Sequence, residues 1–259
     1  MTECTIVERI TPGIVQHELW QEHINRYNFV LRLVPNKFVL DVACGTGYGA
    51  ELISRTANLA IGVDVSREAL IYANQHYGNH HNIGFVLSDA CHLPFRDNTF
   101  DVVVSFETIE HLHYPEIFLQ RIACVLKMNE TLIVSTPNGQ IYSQKQKPSL
   151  NSFHFREFNI KDFSQLLSTC FVNIEFYGQN FSTTKMWLLQ FLGERSPLSF
   201  KILIRKLNKI FFKQSIPQKK RSSKADTTYS VKKIVTINPF CSPHFFIAVV
   251  KNRKPNFVN

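Results

Sequence analysis

The stretch Val39-Leu40-Asp41-Val42-Ala43-Cys44-Gly45-Thr46-Gly47-Tyr48-Gly49 constrains the fold of this chain more than any other. An apolar run carrying an acid drops into a glycine-rich turn and emerges in a helical pattern, Ala50-Glu51-Leu52-Ile53. Glycines at such a turn let the backbone reverse sharply and let a ligand approach without a Cβ in its way. A second apolar run, Ile61-Gly62-Val63-Asp64, also ends in an acid. That is close to the ~20-residue spacing from glycine loop to a carboxylate that holds a ribose hydroxyl.

Two ligand classes suit a strand, glycine turn and helix followed by an acid: a dinucleotide and S-adenosylmethionine. Gly45, Gly47 and Ala50 can be laid on the G-x-G-x-x-G/A dinucleotide fingerprint, but Asp41 stands four residues before the first glycine. A carboxylate there repels a pyrophosphate and attracts an ammonium and a sulfonium. The motif Asp41-Val42-Ala43-Cys44-Gly45-Thr46-Gly47 resembles the first motif of class I S-adenosylmethionine-dependent methyltransferases, D-x-[AG]-C-G-x-G. Later segments carry the same resemblance in order: Phe85 to Ala90, then Leu93-Pro94-Phe95 with Asn98 to Ser105, then Leu126 to Pro137. The resemblance implies that Asp41, Gly45 and Gly47 hold the methionine part of S-adenosylmethionine, Asp64 the ribose, and Asp89 and Ala90 the adenine. It also implies that Ala43, Cys44, Thr46 and Val65 bind the cofactor and that Phe106 and Glu107 close the pocket.

Alternation of strands (38–42, 60–64, 83–88, 101–106, 131–136, 171–177, 244–250) with helices (48–56, 66–77, 115–126, 159–169) predicts the fold class. It is α/β: a doubly wound, mostly parallel, seven-stranded Rossmann-like sheet with a helical insertion before the last strand. The expected organisation is an N-terminal helical cap over 1–36, a cofactor-binding core over 37–178, a basic insertion over 179–243, and the last strand and tail over 244–259. Ser66 and Asn159 suit N-caps. Val15 to Val34 reads as one or two helices capping the cofactor, with Tyr27 either lining the methionine end or serving the core.

The acceptor side is read from two segments, Glu107-Thr108-Ile109-Glu110-His111 and His154-Phe155-Arg156-Glu157-Phe158. On a helix Glu107, Glu110 and His111 would share one face. The E-x-x-E-H and H-x-x-E-F pair is similar to ubiquinone-biosynthesis O-methyltransferases and small-RNA 2′-O-methyltransferases, in which such residues bind a divalent ion. It is also similar to a bacterial group that modifies sugars, lipids and cell-envelope glycans, which shares Glu8 to Gly13 and Glu22-His23-Ile24-Asn25-Arg26-Tyr27. Two readings stay open. Glu107, Glu110, His111 and His154 hold a divalent metal that acidifies a hydroxyl, or His111 or His154 acts alone as base. Six further histidines, His17, His23, His76, His80, His81 and His92, read as ordinary surface.

Six scattered cysteines without a C-x-x-C pair argue against a zinc site and a disulfide framework, and for a reduced, cytoplasmic compartment. Met1 to Arg9 has no apolar core of a signal peptide, and no apolar run reaches the ~20 residues that span a membrane. The net charge of +9 concentrates between Lys185 and Lys233, where Glu194 and Asp226 are the acidic exceptions. Phe200 to Phe212 reads as a basic amphipathic helix, so the insertion is expected to cover an acceptor or touch an acidic partner or the inner membrane face.

The function expected is O-methylation of a sugar, glycan or small polar acceptor. The alternatives are metal-assisted RNA 2′-O-methylation, although no separate RNA-binding module is visible, and a non-catalytic cofactor-binding regulator. An NAD-dependent oxidoreductase is disfavoured by Asp41.

Overall fold

The apolar runs become the centre of a sheet. The computed structural model describes residues 17–140, 154–183, 231–234 and 241–253. In chain order it holds α1 (His17–Val30), β1 (Phe38–Val42), α2 (Tyr48–Ser54), β2 (Leu59–Asp64), α3 (Arg67–Tyr77), β3 (Ile83–Leu87) and β4 (Phe100–Ser105). After β4 come a 3-10 turn (Ile109–His111), α4 (Pro115–Val125), β5 (Leu126–Pro137), α5 (Ile160–Leu167), β6 (Phe171–Thr183), β7 (Lys232–Lys233) and β8 (Cys241–Arg253).

The strand order is β3-β2-β1-β4-β5-β8-β6-β7. β1 to β5 pair in parallel, and β8 runs antiparallel to both β5 and β6. The expected seven strands are therefore present, and the two-residue β7 adds an eighth at the edge beside β6. Right-handed crossovers leave a crevice where the order reverses between β1 and β4, at the carboxyl ends of the strands.

Alternation along β1 sorts its side chains between two cores. Leu40 and Val42 pack with Phe118, Leu119 and Ile122 of α4 and Phe163 and Leu167 of α5. Val39 packs on the opposite face with Val30 of α1 and Ile53 of α2. Asp41 follows Val39 onto the α1 and α2 face, which decides its partner.

Both expected caps form. Ser66 Oγ accepts from Ala69 N at 3.3 Å, and Asn159 Oδ1 accepts from Lys161 N and Asp162 N at 2.9 and 3.0 Å. Val15 to Val34 contributes one helix within the described residues, not two. β5 begins directly at the end of α4, with its register to β4 shifting between Phe100 and Val102. Asn129 takes φ 60 in that irregular stretch.

The β6–β8 pairing extends to Thr183 opposite Cys241, so both strands enter the stretch expected to be insertion. Lys232 and Lys233 of that stretch also join the sheet. The helices expected at 186–192 and 200–212 lie outside the described residues. No described helix is long and apolar enough to cross a membrane.

Candidate active site

The glycine turn between β1 and α2 is built by left-handed backbone. Ala43, Gly45 and Gly47 have φ of 61, 56 and 80. For Ala43 that conformation stores strain of about 1 kcal/mol or more, which persists where surrounding structure over-determines it. The two motif glycines do different work. A Cβ on Gly47 would sit 2.6 Å from Ala73 Cβ and 2.8 Å from the Phe85 ring, so this glycine serves packing as well as the turn. A Cβ on Gly45 would meet nothing within 4 Å, so the backbone there faces open space.

Asp64 closes the turn from the end of β2. Its Oδ2 accepts from Gly45 N at 2.9 Å and its Oδ1 from Ser66 N at 2.8 Å. A carboxylate has lone pairs for further donors, so these bonds aim it without exhausting it. Cys44 is a wedge under the loop: a Cβ on Gly62 would lie 2.8 Å from its Sγ. Burial, with Asp41 and Asp64 nearby, pushes its thiol well up, so it stays protonated. Thr46 is buried in the turn.

Beside the open face of Gly45, Val65 follows the end of β2 at 70% exposed and Leu87 ends β3 at 54% exposed. Asp89 stands two residues past β3, its Oδ1 accepting from Cys91 N at 2.7 Å. Half-buried Ala90 packs against the core beside it. Open backbone at Gly45, apolar strand ends and a projecting acid suit a nucleoside. The residues present therefore fit S-adenosylmethionine, whose ribose Asp64 and whose adenine Asp89 would hold.

Asp41 is only 1% exposed. Its oxygens accept the Tyr27 hydroxyl at 3.2 and 3.1 Å. Burial pushes its carboxyl up to about 7, against the opposing hydrogen bond from Tyr27. It therefore offers a ligand no open contact. Tyr27 takes the core role of the two the sequence left open. It is buried in the core, and its ring fills the space that a Cβ on Gly49 would need. Phe106 packs edge-on against it at 5.1 Å.

The acceptor side departs from expectation. Glu107, Glu110 and His111 do not share a helix face. Glu107 takes φ 50 before the 3-10 turn, because β4 ends there and the chain must swing out of the sheet. Its Oε1 accepts from Ser135 Oγ at 2.6 Å. The group whose ligand atoms lie within 4.8 Å of one another is Glu110, His111 and His154. Glu107, expected with them, is not in this group.

Glu110 is buried, its Oε2 accepting from Thr136 Oγ1 at 3.1 Å and its Oε1 without a partner. Burial first, then the Glu107 charge, push its carboxyl well up. Its backbone carbonyl accepts from Phe155 N and Arg156 N at 3.0 and 3.2 Å. Those bonds bring the later segment to the turn and set the His111 and His154 rings edge to face at 4.6 Å.

Sequence reasoning missed the roles of two residues on α1. His23 is not ordinary surface: its Nδ1 lies 3.0 Å from Tyr48 Oη, and burial lowers its pKa well below the usual value. Arg26 is fully buried against Gln179. The signal was present, since His23, Arg26 and Tyr27 fall at i, i+3 and i+4, one face of a helix.

Residues 40–134 match a family of methyltransferase domains. A "Probable S-adenosylmethionine-dependent methyltransferase" of Mycolicibacterium smegmatis is 32% identical over 169 residues, which are 65% of this chain and 65% of that relative. The chain thus spans about two thirds of that relative's length, just under that share. A ubiquinone-biosynthesis O-methyltransferase of Bradyrhizobium diazoefficiens is 36% identical over 101 residues, 39% of this chain and 40% of the relative. Among solved structures, a possible histamine N-methyltransferase of Thermotoga maritima superposes with a TM-score of 0.59 at 17% identity. That match covers 91% of this chain and 94% of the other, and shows the shared fold. Strand order, loop and family match agree: residues 40–134 form a methyltransferase domain, similar to those of S-adenosylmethionine-dependent methyltransferases.

Proposed function

We propose that the chain transfers the methyl group of S-adenosylmethionine to a hydroxyl of a sugar, glycan or other small polar acceptor. Bound S-adenosylmethionine supplies a methyl carbon already activated by its sulfonium. The protein must align the nucleophile and remove a proton. The observation that carries the reading is the His111–His154 ring pair at 4.6 Å, which follows β4, the strand beside β1, and groups with the buried Glu110 carboxyl. An imidazole takes up a proton near neutral pH, and its neighbours decide which nitrogen does so. The O-methyltransferase name of the Bradyrhizobium relative supports oxygen as the accepting atom.

The three-residue group of Glu110, His111 and His154 favours a second reading, in which they hold Mg²⁺, Mn²⁺ or Zn²⁺. One carboxylate and two imidazoles are a donor set such ions accept. The metal would acidify the acceptor hydroxyl. Basic residues between Lys185 and Lys233 would meet an acidic acceptor or a membrane surface.

The test is transfer of labelled methyl from S-adenosylmethionine into fractionated cell extract. Label in glycan, glycolipid or nucleotide-sugar fractions supports the reading; label in RNA alone overturns it. His111→Ala should abolish transfer under either version, and full activity after EDTA treatment would dismiss the metal. A His111→Ala, His154→Ala double variant that retains cofactor-dependent function without transfer would point to a regulator.

A further inference from the structure

Three aromatic rings lie open to solvent close along the chain to the His111–His154 pair. Phe155 is 58% exposed and Tyr114 68%, and His113 is exposed as well. The rings form one group. His113 lies 3.6 Å from Phe155, with 34° between the planes, and 6.3 Å from Tyr114. Ile117, one turn along α4 from Tyr114, adds an exposed apolar side chain.

The backbone beneath this group is fixed. The Glu110 carbonyl accepts from Phe155 N and Arg156 N, the bonds that also bring His154 to His111. Pro115 opens α4 directly after Tyr114, and Ile117 N donates to the Tyr114 carbonyl at 3.1 Å. Packing does not account for the rings. The same segments give Ile109, Pro115, Phe118 and Phe158 to the interior and leave these outside. An exposed apolar patch that runs on from a reaction centre marks a ligand surface.

The surroundings say which ligand suits it. An alkyl chain needs a groove that removes it from water on all sides, and rings this exposed cover one side only. A phosphate-rich strand needs cations. Residues 107–118 and 154–158 hold Glu107, Glu110, Glu116 and Glu157 against Arg156. That guanidinium lies 3.7 Å from Glu116 and 5.3 Å over the Phe158 ring. A pyranose meets both conditions. The partly positive C–H bonds of one sugar face lie on the negative face of an aromatic ring. Its hydroxyls keep their water or donate to exposed carboxylates such as Glu116 and Glu157.

We infer that His113, Tyr114 and Phe155 form a stacking platform for a pyranose ring of the acceptor, which presents its hydroxyl to the His111–His154 pair. The inference rests on the sugar reading above and adds the residues that select the sugar.

The experiment titrates the sugar-bearing fraction of cell extract that takes up labelled methyl, with wild type and three variants. Phe155→Ala should raise the half-saturating amount of acceptor about three- to tenfold, the value of one aromatic contact. Its maximal rate, its Tm and its S-adenosylhomocysteine affinity should stay as in the wild type, because the position is exposed. Phe155→Trp should restore the wild-type value, and Phe155→Leu should not, since leucine keeps apolar bulk and loses the ring face. An unchanged half-saturating amount in Phe155→Ala overturns the inference. So does full recovery by leucine, which marks a general apolar contact, and so does a loss confined to maximal rate. Should Phe155→Ala fail to fold, Tyr114→Ala is read in the same way. Label that enters no sugar-bearing fraction overturns the sugar reading itself, and the platform with it. Label in sugar that ignores these rings overturns the platform alone.

Discussion

The Tyr27 hydroxyl donates to both carboxylate oxygens of Asp41, at 3.2 and 3.1 Å, and so joins α1 to the strand that carries the cofactor turn. The N-terminal helix is thereby part of the site. Tyr27→Phe removes the donor and leaves a buried carboxyl unsatisfied, at a cost of about 1–3 kcal/mol. The expected drop in Tm is roughly 2–4 °C per kcal/mol for a chain of this size, read by thermal melting. An unchanged Tm would mean that water replaces the hydroxyl.

Asp41 titrates at about 7 in the folded chain against an ordinary 3.8. A raised carboxyl pKa places the sign. The stability associated with the protonated group is fully present below about pH 4 and is lost as pH rises through 7. Relative to Asp41→Asn, the wild type should therefore lose stability between pH 4 and 8, measured by urea denaturation at stepped pH. A constant difference between the two would show that Asp41 is ionised throughout.

The same titration controls a cation. S-Adenosylmethionine carries a sulfonium and S-adenosylhomocysteine does not, so ionised Asp41 should favour the first. Their affinity ratio should rise severalfold from pH 6 to 8 in the wild type and stay flat in Asp41→Asn. Calorimetry with both ligands across this range provides the readout.

The motif glycines should separate when changed to alanine. Gly47→Ala combines φ of 80 with contacts of 2.6 and 2.8 Å, and should destabilise the fold by about 2 kcal/mol or more. Gly45→Ala meets no protein atom within 4 Å, so its cost is backbone strain of about 1 kcal/mol. Its methyl group enters the space left for the ligand, and cofactor affinity should fall at least tenfold while the chain remains folded. Melting curves and S-adenosylhomocysteine titration together test the pair.

Glu110 separates the two versions of the acceptor chemistry. Its buried carboxyl is held well above the usual range, so ion binding there requires proton release. If Glu110, His111 and His154 hold a metal, Mn²⁺ affinity should rise with pH and vanish in Glu110→Gln. If a histidine acts alone, Glu110→Gln should retain most of its activity, since an amide replaces a neutral acid of the same shape. Rates measured with and without EDTA then agree.

The order of strands and helices, both caps and the cofactor turn were legible in the residue order because each rests on local chemistry. Apolar runs bounded by turns make strands, side-chain oxygens cap helices, and glycine admits left-handed backbone. Asp41, Asp64, Asp89 and Glu107 all fall at or near strand ends for that reason. What the residue order could not convey was the direction of each side chain once elements met. Helical spacing put Glu107 with Glu110 and His111, yet the chain leaves β4 through φ 50 at Glu107 and turns it toward Ser135. His23 reads as ordinary surface in the sequence, and Arg26 has no role assigned to it there. Packing of α1 against β6 and β8 buried Arg26, because Gln179 and Phe245 come from strands more than 150 positions away, while His23 meets Tyr48 of α2. The sequence by itself determined the sheet and its ligand turn. Tertiary structure alone decided which charges lost their water, and so which of them bind, titrate or hold a partner.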